Sequence, residues 1–165
     1  MKTKEKPRMY HTLNDLKEPT RAEVITLLGV SLGTVLDLYT QVKQAHWNVK
    51  GPHFMPYHEL FDGIATKLID YVDLLAERIT ALGGVARGTA REAVKASLLP
   101  EYPLEISDGT DHINAVAVRL AAFGKHVREM VDRTAALGDI GTADIYTEIS
   151  RESDKQLWFI ESHIQ

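Results

Sequence analysis

Apolar residues recur at helical spacing in four stretches of roughly 20 to 30 residues, and nowhere do they alternate with the two-residue period of a strand. The first stretch carries a capping-box pattern at Thr20 and Glu23. It runs through Val24, Leu27, Leu28, Leu32 and Val35 to Trp47, and stops at Gly51-Pro52. The second has Pro56 in its first turn and a stripe of Leu60, Phe61, Ile64, Leu68, Val72, Leu75, Ile79 and Leu82, closed by Gly83-Gly84. The third is predicted from about Thr110 to Leu137, with interruptions at Gly138 and Gly141, and the fourth from Ala143 to the end. Between the second and third, Val85 to Pro103 is too long for a tight turn. It holds a short helix around Ala90 to Ser97. The chain should therefore be all-α: two helical hairpins joined by a long crossover.

Residues 19–165 form the bundle in this reading, and residues 1–18 a flexible basic arm. The arm carries Lys2, Lys4, Lys6, Arg8 and Lys17 against three acidic residues, with no apolar period. It should be dispensable to the fold. The whole chain has a net charge of −4, which argues against a nucleic-acid binder that uses its entire surface. Any DNA contact must be local to the arm, and a solvated tail is the alternative. There is no cysteine, so thiolate metal sites and cysteine nucleophiles are excluded. The N-terminus lacks a signal-type apolar region, and no stretch approaches the roughly 18 apolar residues of a membrane span. These features predict a cytoplasmic protein.

The second helix carries the residues with metal chemistry. His58 and Asp62 stand four apart, as do Asp73 and Glu77, so each pair projects from one helical face. Such pairs also occur on solvated faces. Asp62 and Asp73 lie roughly 16 Å apart along the helix, too far to hold one ion. The positions are nevertheless reciprocal about a midpoint between residues 67 and 68. If two copies of the helix cross antiparallel on a two-fold axis there, His58 meets Glu77 of the mate and Asp62 meets its Asp73, giving two equivalent sites per dimer. Ala65, Thr66, Ile69 and Ala76 lie between the clips and suit a close crossing. His46, near the end of the first helix, is one loop away from His58. Two imidazoles and three carboxylates suit iron or manganese, with zinc as a competitor. Glu-x-x-His, the pair that builds a di-iron centre inside one bundle, is absent.

The topology of two hairpins joined by a crossover is that of the ferritin-like four-helix bundle. The run Lys43-Gln44-Ala45-His46-Trp47-Asn48-Val49-Lys50-Gly51-Pro52-His53-Phe54, followed by His58-Glu59-Leu60-Phe61-Asp62, resembles the Dps family, the DNA-binding proteins from starved cells. So do Asp73, Glu77-Arg78, Thr142-Ala143-Asp144-Ile145 and the segment Asp154 to Glu161. The resemblance implies a homo-oligomer: a dodecamer with tetrahedral symmetry, built from two-fold dimers. Each ferroxidase centre would take His46, His58 and Asp62 from one subunit and Asp73 and Glu77 from its mate. The implied activity is oxidation of ferrous iron, preferably by hydrogen peroxide, with ferric iron stored in the cavity and DNA protected from oxidative damage. The alternative is a nucleoid protein that coats DNA through the basic arm. Asp139, Asp144 and Glu148 would line an iron-entry pore, or simply favour a helix N-terminus. Trp47, beside His46, is either an electron donor near the oxidant or an interface anchor. His53, His112, His126 and His163 have no partner at ligand spacing and read as surface or structural residues.

Overall fold

Pro19 starts the first helix. The computed structural model describes residues 8–165, in which α1 (Glu18–Asn48) begins with Lys17 at its N-cap and proline in its first turn. Proline needs no partner for a missing N–H and is already set at a helical φ, so the helix starts ahead of Thr20 and the expected capping box does not form. Arg21 secures this entry, donating from Nε to the Leu16 carbonyl and from Nη1 to the Leu82 carbonyl at 2.8 Å.

The second helix, α2 (Phe54–Ala81), ends where Gly83 takes φ 87 and returns its N–H to Thr80. α3 (Ala90–Ala96) is the short helix of the crossover, and α4 (Gly109–Ala136) is capped by the Asp108 side chain accepting from the Thr110 N–H. The last helix, α5, spans Ile140–Glu161, starting earlier than the sequence predicts. Asp139 caps it, and Gly141 sits inside the first turn instead of breaking the chain.

α1 packs chiefly on α2 and α4 on α5, while α3 lies across α1. The shared core includes Leu28, Leu32, Phe61, Leu68, Leu75, Phe123 and Tyr146, all essentially buried. This is the ferritin-like four-helix bundle, with the short helix in its crossover. Lys50 donates its N–H to the Ser107 carbonyl at 2.9 Å, which ties the loop between α1 and α2 to the end of the crossover. Arg119, also buried, reaches from α4 to Gln41 on α1 and to the Glu101 carbonyl. These ties fix the end of α1, where His46 lies.

Two features lie outside what the apolar period shows. Residues 8–17 touch the bundle at several points. Met9 and Leu16 pack against the core, Tyr10 donates its N–H to the Gly83 carbonyl at 2.7 Å, and Asn14 is held by the Thr12 hydroxyl. The attachment is mainly through backbone groups and two isolated apolar side chains, so it leaves no periodic signal. Lys2, Lys4 and Lys6 lie outside the described residues, whereas Arg8 and Lys17 are described and exposed. The second concerns α1, which is long and apolar enough, by length and composition, to cross a membrane, with a mean hydropathy of 1.5 over its best window. Its apolar side chains are instead spent on the core, with 56% of that window buried.

Two histidines are structural. His126 Nε2 lies 2.8 Å from Ser31 Oγ, which is 2.7 Å from the Tyr146 hydroxyl. His112 Nδ1 lies 2.6 Å from the Tyr102 hydroxyl. Burial holds both imidazoles below the usual histidine range. The unfolded chain, titrating near pH 6.5, then binds more protons than the folded one as pH falls, so stability is lost on acidification through that range. Unfolding at a fixed protein concentration should show a lower denaturant midpoint near pH 5.5 than near pH 7.5. His126→Gln should shrink that difference. An equal difference in the variant would remove His126 from this account.

Candidate metal centre

His46 and His58 hold each other in place. His46 lies in the last turn of α1, where backbone carbonyls lack helical partners. His58 Nδ1 reaches the His46 carbonyl at 2.8 Å, and His46 Nδ1 reaches the His58 carbonyl at the same distance. A carbonyl can only accept, so each Nδ1 carries a proton and Nε2 is the nitrogen each ring can offer to a metal. The rings stack with centroids 3.7 Å apart and an interplanar angle of 22°. Asp62 Oδ1 lies 3.9 Å from His46 Nε2. One chain therefore brings together His46, His58 and Asp62.

Lys43 completes this half-site. Its Nζ sits 2.7 Å from Asp62 Oδ1 and 5.8 Å from the centre of the Trp47 ring. The hydrogen bond and the positive charge of Lys43 hold the Asp62 carboxyl below its ordinary range, so it is ready as an anion. Lys43 was not assigned a role from sequence. The available signal was its place three residues before His46, on the same helical face.

Asp73 and Glu77 are exposed on α2, roughly 16 Å and more from Asp62 along the helix. The single chain does not bring them to the histidines. Among the described residues, no three His, Asp or Glu side chains of one chain converge as a metal cage. Between the two clips Ile69 is 44% exposed and Thr66 is exposed, while Ala65 is buried in its own subunit. Trp47 is 63% exposed, at the rim of the half-site.

At the start of α5 the three acidic residues divide. Asp144 and Glu148 are exposed. Asp139 is 2% exposed, with Oδ1 accepting from Arg78 Nη2 at 2.7 Å and from the Thr142 N–H at 2.9 Å. Its Oδ2 accepts from the Thr142 hydroxyl at 2.6 Å. Its carboxylate is thus consumed within the subunit. On the arm, Arg8 stacks 4.8 Å from the centre of the Tyr10 ring.

The pattern that defines the ferritin-like domain matches residues 25–165. A protein of Agrobacterium fabrum called DNA protection during starvation protein is 40% identical over 158 residues, covering 96% of this chain and 98% of that one. A protein of the same name from Mycolicibacterium smegmatis is 29% identical over 154 residues, 93% of this chain and 84% of its own. Among solved structures, DpsA14 from Streptomyces coelicolor superposes with a TM-score of 0.91 at 29% identity, covering 97% of this chain and 95% of that one. Mycobacterium smegmatis Dps gives 0.90 at 28% identity, with coverage of 96% and 95%.

Proposed function

This chain belongs to the Dps family of ferritin-like proteins, and from that premise we propose that it oxidises ferrous iron at centres shared between two subunits and stores the ferric product. The preferred oxidant is hydrogen peroxide, and the assembly is a dodecameric shell of two-fold dimers. The observation that carries the reading is the reciprocal His46–His58 pair, which reserves Nε2 of each ring for a metal, with His46 Nε2 3.9 Å from the Asp62 carboxylate. Asp73 and Glu77 of a mate would supply the remaining carboxylates. Anionic ligands favour the more highly charged ferric ion, and the imidazoles fix geometry without adding charge. Two ferrous ions give one electron each to peroxide, whose oxygens end as water or hydroxide. Lys43 would be displaced from Asp62 by arriving iron and can remain against Trp47. Asp144 and Glu148, exposed on α5, are the acids available for an entry pore. Asp139 supports their helix. Removing iron and peroxide together would spare DNA, in a protein of the cytoplasm.

The test is ferrous oxidation by peroxide under anaerobic conditions, followed by stopped-flow absorbance. Fast oxidation that Asp62→Asn abolishes supports the reading. Oxidation at the same rate in Asp62→Asn would overturn it. A second reading, DNA coating, is favoured by the exposed Arg8 and Lys17. Any such binding should be weak and lost at moderate salt, because each phosphate contact releases counterions. Replacing Lys2, Lys4, Lys6, Arg8 and Lys17 by Gln keeps the packed segment in place. Gel shifts that persist unchanged in that variant would put the DNA contact elsewhere.

A further inference from the structure

His112 is enclosed, 1% exposed, where three segments that support the metal half-site meet. It lies at the start of α4, whose N-cap Asp108 follows directly on the crossover. Its Nδ1 is 2.6 Å from the Tyr102 hydroxyl, and the two rings stack at 16°. Nε2 makes no hydrogen bond of full geometry. The main-chain acceptors that act on the ring are the carbonyls of Ile106, in the crossover, and of Asn48, the last residue of α1. The ring also meets Phe61 edge-on, one residue before Asp62, with centroids 6.5 Å apart.

These neighbours select one tautomer. Burial raises the Tyr102 phenol, so its hydroxyl stays protonated and can donate to Nδ1. Were Nδ1 the protonated nitrogen, a bare Nε2 lone pair would be left among carbonyl oxygens, acceptor against acceptor. Nε2 therefore carries the proton. The last carbonyls of a helix have no helical partner. In α1 the Ala45 carbonyl receives the Val49 N–H, the His46 carbonyl receives His58 Nδ1, and the Asn48 carbonyl is left to His112. The bond from Lys50 to Ser107 ties the next residues to the same stretch of the crossover.

We propose that His112 is a positioning residue for the metal centre: its Nε2–H, shared between the Asn48 and Ile106 carbonyls, pins the last turn of α1 to the crossover and so sets where His46 points. A proton shared between two acceptors meets neither squarely, which accounts for the imperfect geometry at Nε2. His112 itself touches no metal. Its effect on metal binding rests on the iron-oxidising reading; the tie between α1, the crossover and α4 does not.

The experiment compares two amides at this position. A glutamine carries an N–H as many bonds from Cα as Nε2 is, whereas an asparagine puts its polar atoms where Nδ1 lies, keeping a partner for Tyr102 and losing the tie. Cobalt(II), a spectroscopic stand-in for ferrous iron, is titrated into the assembled full-length protein, and its visible bands report affinity and coordination. His112→Asn is expected to bind about tenfold more weakly with altered bands, the lower end of what ligand-orienting groups are worth. His112→Gln should restore both. His126→Gln replaces a buried histidine of the same helix whose partner Ser31 lies roughly 22 Å along α1 from His46. It should leave both unchanged, which separates positioning from a general loss of stability. In the metal-free shells, hydrogen exchange read by mass spectrometry should quicken over residues 45–50 in His112→Asn and not in His112→Gln. Unchanged cobalt bands or unchanged exchange in His112→Asn would overturn the proposal, as would equal losses in the two amide variants. Failure of the wild type to bind cobalt would instead sink the metal-centre reading and the proposal with it, and exchange would still show whether the tie exists.

Discussion

Shells assembled from a mixture of His58→Ala and Glu77→Ala subunits are expected to recover iron oxidation that neither variant shows alone. Each parent shell should be slower than wild type by about a hundredfold or more, since even groups that merely orient ligands are worth roughly 10–100-fold. The recovery follows from the reciprocal spacing on α2 and from the separation of Asp73 and Glu77 from the histidines within one chain. In a two-fold dimer of one subunit of each kind, one site carries both lesions and the other carries none. Random equal mixing leaves about a quarter of all sites intact, so roughly a quarter of wild-type activity should return. The composition of the mixed shells is checked by mass spectrometry. Mixed shells no faster than their parents would end the shared-site account.

Asp139→Ala is expected to destabilise the subunit by about 3 kcal/mol, combining a lost helix cap with a broken, largely buried ion pair. Arg78, 20% exposed, would lose the carboxylate at 2.7 Å, and Thr142 would lose the acceptor for both its N–H and its hydroxyl. Denaturant unfolding should show a lower midpoint with an unchanged slope. Iron uptake per folded shell should change little. Asp144→Asn should do the opposite, slowing uptake while leaving stability alone. An Asp139→Ala protein of wild-type stability with slow uptake would return Asp139 to the pore.

The helical architecture was legible because burial imposes a period, and the period runs along every long helix. The boundaries were less so, because they depend on single residues in competition. Pro19 outcompeted the Thr20 and Glu23 box, and Asp139 carried α5 past Gly141. The docking of residues 8–17 was invisible, since Tyr10 is held through its backbone N–H, a group every residue but proline possesses. At the site, spacing brought His58 and Asp62 to one face of α2, and the loop between α1 and α2 brought His46 to them. Spacing alone did not reveal that Lys43 occupies Asp62, because a lysine near an acid on a neighbouring helix depends on how the two helices are rotated.

The crossed bonds between His46 and His58 fasten each imidazole to the other residue's main chain and not to its side chain. Truncating either one removes a metal ligand, leaves the other residue's carbonyl without that donor and takes away the stacked ring, while the imidazole that remains keeps its own main-chain acceptor. The two single substitutions should therefore couple only through the lost ring contact, with each remaining ring still held in its tautomer and direction. A lineage that lost one imidazole would still carry the other in place, because main-chain atoms that no substitution removes do the holding.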